Sequence, residues 1–197
     1  MTAVRVRGIG LLGGTTDEVR AEYLDFAAEL GAGLGGCGVE VVCGDAGSGV
    51  AGSVIAAAAA TGSAVVTVVP HPVLPTRARP APRALTYAVR TAGDRRRLIY
   101  RLSDGFVVLP GGLDTIGDLI GFATLARVDG GAKPIVLVNV RGYFDALFGM
   151  LDHAVAESFL TPAERGLFAV TDTVPDTLRL LAIRVPEPVR EPVGQSG

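Results

Sequence analysis

A doubly wound α/β sheet of parallel strands in a single domain is the fold this sequence predicts, and three observations predict it. Apolar runs rich in Val, Ile and Leu recur between longer segments of helical spacing. The runs show little alternation, as strands buried on both faces of a parallel sheet do. Strand and helix patterns take turns along the chain, the mark of β-α units. The 197 residues lie within the ~50 to 250 of one domain. With 49% hydrophobic and 19% charged residues, there is apolar material enough to offset the ordering entropy of one core, so disorder of the whole chain is excluded.

Taken in order, Val4 to Leu12 is the first strand and ends on Gly13 and Gly14. Asp17 to Leu34 repeats apolar residues three and four apart and is a helix. Val39 to Cys43 is a strand, Ser48 to Ala60 a helix, and Ala64 to Val69 a strand. Thr61, Gly62 and Ser63 break the apolar stretch from Val54 to Val69, which is too short to span a membrane. Pro70 to Arg83 carries five prolines and three arginines and can continue neither helix nor central strand. It is a long loop: either a solvated connector or a lid whose Arg77, Arg79 or Arg83 reaches an anionic ligand. Arg95 to Leu102, Thr115 to Val128 and Phe144 to Phe159 are helices, separated by the strands Phe106 to Leu109 and Ile135 to Val138. The tail from Pro186 to Gly197 has a disordered composition, leaving residues 1–185 as the domain.

Lys+Arg 18 against Asp+Glu 20 leaves net −2, without the basic excess of a nucleic-acid-binding domain, so no nucleic-acid partner is expected. No secretory signal precedes the first strand, so the expected compartment is the cytoplasm, with no membrane partner. Lys133 is the only lysine, so a cationic site would use forked guanidinium groups. Cys37 and Cys43 lie six apart without His or Cys companions and read as small buried hydrophobes. His71 reads as surface, His153 as structural or interfacial, and Asp104 as a local cap or pair. Arg97 and Arg101, four apart, put a solvated or dimer-facing side on their helix.

Three glycine-rich segments bear on chemistry. Gly8, Gly10 and Gly13 fit G-x-G-x-x-G but fall within the first strand, so close packing accounts for them. Gly47, Gly49 and Gly52 follow a strand and open a helix as a dinucleotide loop does. The ribose-binding acid about 20 residues on is missing, so no NAD site is expected. In Pro110-Gly111-Gly112-Leu113-Asp114-Thr115 a strand stops, the backbone turns, and a helix begins near Asp114 or Thr115. The free amides and dipole of such a helix start hold an anion such as phosphate, and Thr115 can add a hydroxyl. The plainer reading is a turn in which Asp114 or Thr115 only caps the helix.

The segment from Pro110 to Asp118 is similar to the P-G-G-x-G-T-x-x-E signature of the LONELY GUY (LOG) family, the cytokinin riboside 5′-monophosphate phosphoribohydrolases. Asp94-Arg95-Arg96 resembles the family's acidic or amide residue followed by Arg-Lys, and Cys43 to Gly52 its Y-G-G-G-x-x-G-L-M-G loop. Lys133-Pro134, Asn139 and Gly142-Tyr143-Phe144 resemble its K-P, N and G-Y-Y segment. The resemblance, running from about Val6 to Leu180, implies a Rossmann-like homodimer that hydrolyses the N-glycosidic bond of a nucleoside 5′-monophosphate to free base and ribose 5-phosphate. By matching position, Arg95 and Asp118 are the implied catalytic pair. Gly111, Gly112, Asp114, Thr115, Gly44, Asp45, Gly47, Gly49 and Arg96 are the implied ligand-binding residues. No metal and no cofactor are expected; the expected partner is a small nucleotide-like ligand.

Three departures from the family pattern set the alternatives. Asp118 stands for Glu and ends about 1.5 Å shorter, a misplacement that can cost ~100-fold in rate. Asp114 stands for Gly beside the phosphate; at ~7 Å and an effective dielectric of ~20 it repels each ligand charge by about 2 kcal/mol. It also lies four residues from Asp118 on the same helix, where like charges repel. Asp45 stands for another Gly. The chain is thus an N-glycosidase that uses Asp118, a non-catalytic relative that binds a nucleotide-like ligand or a partner chain, or an N-glycosidase for an unphosphorylated or cationic substrate. A metal site from Asp45, Asp114 and Asp118 lacks His or Cys support.

Overall fold

A computed structural model describes residues 6–44, 47–70, 84–130 and 133–183. Its strands are β1 (Gly8–Leu12), β2 (Glu40–Cys43), β3 (Val65–Pro70), β4 (Ala84–Val89), β5 (Gly105–Val108), β6 (Ile135–Val138) and β7 (Phe168–Thr171). The helices are α1 (Ala21–Gly36), α2 (Gly49–Ala60), α3 (Ala92–Leu102), α4 (Leu113–Val128), α5 (Asp145–Ala156), α6 (Pro162–Arg165) and α7 (Val174–Leu180), with a 3₁₀ turn at Val140–Gly142. All seven strands pair in parallel in the order β4-β3-β2-β1-β5-β6-β7. The order reverses between β1 and β5, and ligands of such sheets bind in the crevice at the carboxyl ends of the strands at that switch.

Successive strand residues feed opposite cores, as the two-residue period of a strand requires. Ile9, Leu11, Val41, Cys43, Val107 and Val136 face α1, α2 and α7. Val42, Phe106, Val108, Ile135 and Leu137 face α3, α4 and α5. On the first side α1 lies very close to α2, because Gly31 and Gly35 carry no side chain. A Cβ on Gly31 would sit 2.3 Å from the Val54 carbonyl oxygen, and one on Gly35 would overlap the Thr61 side chain. On the second side Gly10 pairs in register with Phe106 and leaves room for its ring. That ring stacks on Phe122 at 4.5 Å and on Tyr100 at 5.5 Å. Packing thus accounts for the glycines of β1, as their place inside a strand implied.

The doubly wound sheet agrees with the sequence reading, and each of the five expected strands and five expected helices is present with ends moved by a few residues. Four elements were not foreseen: β4, β7, α6 and α7. β4 is a sheet edge with five of its six residues exposed, so it lacks the continuous apolar signature of a buried strand. Cys43 is buried, but Cys37 is only half-buried at the end of α1, which corrects the reading of both as buried. Asp104 accepts N–H bonds from Arg7 and Gly8 at 2.7 and 3.2 Å, tying β5 to the start of β1. Asp45, His71, Arg77, Arg79, Arg83 and the tail lie outside the described residues. Among the described residues, no helix is long and apolar enough to cross a membrane.

Candidate active site

Three loops meet at the carboxyl ends of β1, β2 and β5, and the β1 loop ties them together. The Gly14 N–H donates to the Pro110 carbonyl at 2.9 Å, and the Ala51 N–H donates to the Gly14 carbonyl at 3.1 Å. Ser48 Oγ donates to the Thr15 carbonyl. Such close approach needs bare backbone: a Cβ on Gly111 would fall 2.7 Å from Gly14 N and 2.2 Å from Thr115 Oγ1. Thr115 is accordingly buried under the turn.

The two helix starts at this crevice differ. At α4 the capping position is Gly112, which has no side chain to offer, and the first helical bond runs from the Ile116 N–H to the Gly112 carbonyl. Neither Asp114 nor Thr115 caps α4, which corrects the plainer reading of this turn; the helix begins at Leu113, earlier than expected. The preceding amides therefore have no acceptor within the helix and suit an anion. Tyr143 Oη donates to the Gly111 carbonyl at 2.7 Å and braces the turn from outside. At α2 the protein supplies its own anion. Gly49, at φ +63°, donates its N–H to Asp17 Oδ1 at 2.8 Å. Among the described residues, the loop after β5 is thus the one of the two whose helix start meets no carboxylate, which makes it the candidate anion seat.

Beside that seat, α3 and α4 assemble a three-residue ion cluster. Thr91 caps α3 by accepting the Asp94 N–H, which fixes where the following arginines leave the helix. Arg95 Nη2 donates to Asp118 Oδ2 at 2.6 Å. Arg96 Nε and Nη2 both donate to Asp118 Oδ1, at 3.2 and 3.1 Å. Asp118 is 9% exposed, where a charge persists only if it is paired. Its neighbours are shaped for this: a Cβ on Gly44 would lie 2.4 Å from Arg95 Nη1, and one on Gly121 would lie 2.4 Å from Arg96 Cδ and Nε. Asp114 is on the exposed rim while Asp118 is buried among guanidinium groups, so their mutual repulsion is smaller than their spacing suggested. The cluster carries two positive charges against one negative, a field suited to a phosphorylated ligand.

The structure therefore brings Arg95, Arg96, Asp118 and Gly44 into one cluster and packs Gly111 on Thr115 and Gly14 at the start of α4, next to Gly112. Gly49 is held by Asp17 at the start of α2, while Gly47 is exposed and, among the described residues, no contact joins it to either group. Sequence reasoning missed Gly14, Asp17 and Gly121. Gly14 carried a signal, a Gly-Gly pair directly after the first strand; Asp17 and Gly121 act across the fold and carried none. From the sequence, Tyr143 stands out only through the family resemblance. Lys133 is remote: its Nζ donates to the carbonyls of Tyr100 and Ser103 at 2.6 and 2.8 Å. Among the described residues, no three His, Cys, Asp or Glu side chains gather to hold a metal ion.

A family model described as "possible lysine decarboxylase" matches residues 51–181. A "probable cytokinin riboside 5′-monophosphate phosphoribohydrolase" of Oryza sativa subsp. japonica is 35% identical, covering 95% of this chain and 76% of that protein. The cytokinin riboside 5′-monophosphate phosphoribohydrolase LOG of the same plant is 31% identical, covering 93% and 76%. Among solved structures, the molybdenum cofactor carrier protein of Chlamydomonas reinhardtii superposes with a TM-score of 0.61 at 23% identity, covering 90% of this chain and 99% of that one. A molybdenum cofactor binding protein of Rippkaea orientalis gives 0.63 at 16% identity, covering 91% and 97%. At these identities the structural likeness shows the fold alone.

Proposed function

The chain belongs to the LOG family of cytokinin riboside 5′-monophosphate phosphoribohydrolases, and from that premise we propose that it hydrolyses the N-glycosidic bond of a nucleoside 5′-monophosphate, releasing free base and ribose 5-phosphate. The observation that carries this reading is the Asp118 carboxylate, held by Arg95 and Arg96 next to the open amides of α4. In the reaction the C1′–N bond breaks as water adds to C1′, and the base leaves with a proton. Positive charge grows on the ribose ring, and a fixed carboxylate stabilises it without reorganising. The α4 amides seat the 5′-phosphate, Arg95 bridges phosphate and carboxylate, and Asp118 faces the ribose. A lysine-borne Schiff base, as used by many decarboxylases, has no support in the crevice, since the only lysine is tied to backbone carbonyls at the opposite end of α3.

Incubating the purified protein with a panel of nucleoside 5′-monophosphates and the matching nucleosides, with free base read by chromatography, tests this. Base release from a monophosphate that falls at least 100-fold in Asp118→Asn is the expected result; no release together with no thermal shift overturns it. One observation favours a non-catalytic nucleotide binder instead: both oxygens of the shortened acid already accept guanidinium N–H bonds. The Asp114→Gly, Asp118→Glu double variant separates the two readings. Cleavage that rises in it marks an impaired hydrolase, and binding without cleavage by either protein marks the binder. We also propose a homodimer in the cytoplasm as the working form. Leu113, Ile116 and Ile120 of α4, left at the surface beside the crevice, support the dimer; sedimentation velocity giving the mass of one chain would remove it.

A further inference from the structure

The geometry points to Arg96 as a positioning residue that, through the gap left by Gly121, holds one oxygen of Asp118 so that the other, Oδ2, faces the substrate. This rests on the hydrolase reading and assigns work within its site.

Each carboxylate oxygen offers two in-plane lone pairs. Oδ1 accepts two N–H bonds from Arg96, through Nε and Nη2, and is saturated. Oδ2 accepts one, from Arg95 Nη2 at 2.6 Å, and keeps one direction for a ribose hydroxyl or the developing ring charge. With Arg96 on Oδ1 and Arg95 on Oδ2, the carboxylate is held at both ends against turning about its terminal bond. Two of the three guanidinium nitrogens of Arg96 are committed to Asp118, so Arg96 acts on substrate through that carboxylate rather than by seating phosphate.

Gly121 makes the grip possible. It lies in the interior of α4, where glycine weakens a helix, and a Cβ there would meet Arg96 Cδ and Nε at 2.4 Å and Cζ at 2.8 Å. Arg96 must therefore cross α4 over Gly121 to reach Oδ1. Gly117, one turn earlier on the same helix, is the built-in control, since a Cβ there meets nothing within 4 Å.

The test compares Gly121→Ala, Arg96→Lys and Gly117→Ala with the wild type, on the nucleoside monophosphate that releases most base. Gly121→Ala and Arg96→Lys are expected to lower kcat by ~10- to 100-fold while KM stays within about threefold, as loss of alignment does. Gly117→Ala is expected to match the wild type. A KM that rises tenfold or more with kcat kept, in either of the first two, would mean that Arg96 seats the phosphate and would overturn the proposal. The second readout needs no activity: a crystal structure of Gly121→Ala is expected to show Arg96 displaced and the Asp118 carboxylate turned. An unmoved carboxylate overturns the proposal. A wild type that releases no base from any nucleotide fails the hydrolase reading separately, because the crystal result stands without it.

Discussion

At Asp114 the chain carries a negative charge where its family carries a glycine, and exposure decides what that charge does. The residue is on the rim in contact with water, so screening cuts the repulsion of a bound phosphate to about 1 kcal/mol or less. Asp114→Gly is therefore expected to lower KM for the nucleotide by up to about fivefold at low salt. Kinetics at two ionic strengths check it: the gap should close in high salt, and a gap that persists would mean that the side chain obstructs the seat sterically. Gly44 acts in the opposite direction. Its missing Cβ is where Arg95 Nη1 lies, 2.4 Å from the position a side chain would take, so Gly44→Ala should cost ~100-fold in kcat/KM. A near-normal rate in that variant would show that Arg95 has room to retreat. The residue types and spacing already singled out Arg95, Asp118 and the Pro-Gly-Gly turn. The target of Arg96 was not legible, because it is set by an empty space 25 residues further along the chain.

Elements were legible in proportion to their burial. β5 and β6, sealed on both faces, stand out as uninterrupted apolar runs. β4, at the open edge, mixes Ala, Thr and Tyr with Leu and Val and does not. α7 hid for another reason: its seven residues give fewer than two periods from which to read an apolar stripe. The close contact of α1 with α2 shows how packing reuses helix-weakening residues. Gly31→Ala should push a methyl against the Val54 carbonyl and destabilise the fold by ~1 to 3 kcal/mol. Gly149→Ala, in α5 with open space around it, should stabilise by about 0.5 to 1 kcal/mol. Urea midpoints of the two variants, shifting in opposite directions, check the pair; a shift in the same direction would mean that helix propensity outweighs contact at Gly31.

Across the whole molecule, the pH dependence of stability should report the aromatic stack beneath the site. Tyr100 is 4% exposed, stacked on Phe106 and under the Lys133 ammonium. Burial, with the Asp129 carboxylate nearby, pushes its phenol up to about 12 from 10. The folded state thus keeps this proton to higher pH than the unfolded chain. Its contribution, on the order of 2 to 3 kcal/mol, is complete below pH 10 and is lost as pH rises toward 12. The stability difference between wild type and Tyr100→Phe, followed by denaturant unfolding from pH 9 to 12, should shift by that amount; a flat difference would show that the phenol ionises as freely folded as unfolded. The sequence by itself determined the parallel α/β class, the β-α units at its buried centre and the Pro-Gly-Gly turn between a strand and a helix. These follow from burial on both strand faces, helical period and a glycine pair between a strand and a helix, all local along the chain. Tertiary structure decided which helix start receives a carboxylate, by bringing Asp17 onto α2 and none among the described residues onto α4, and which oxygen of Asp118 carries only one hydrogen bond. Those outcomes depend on groups tens of residues apart meeting within hydrogen-bond distance, and neither composition nor spacing encodes that separation.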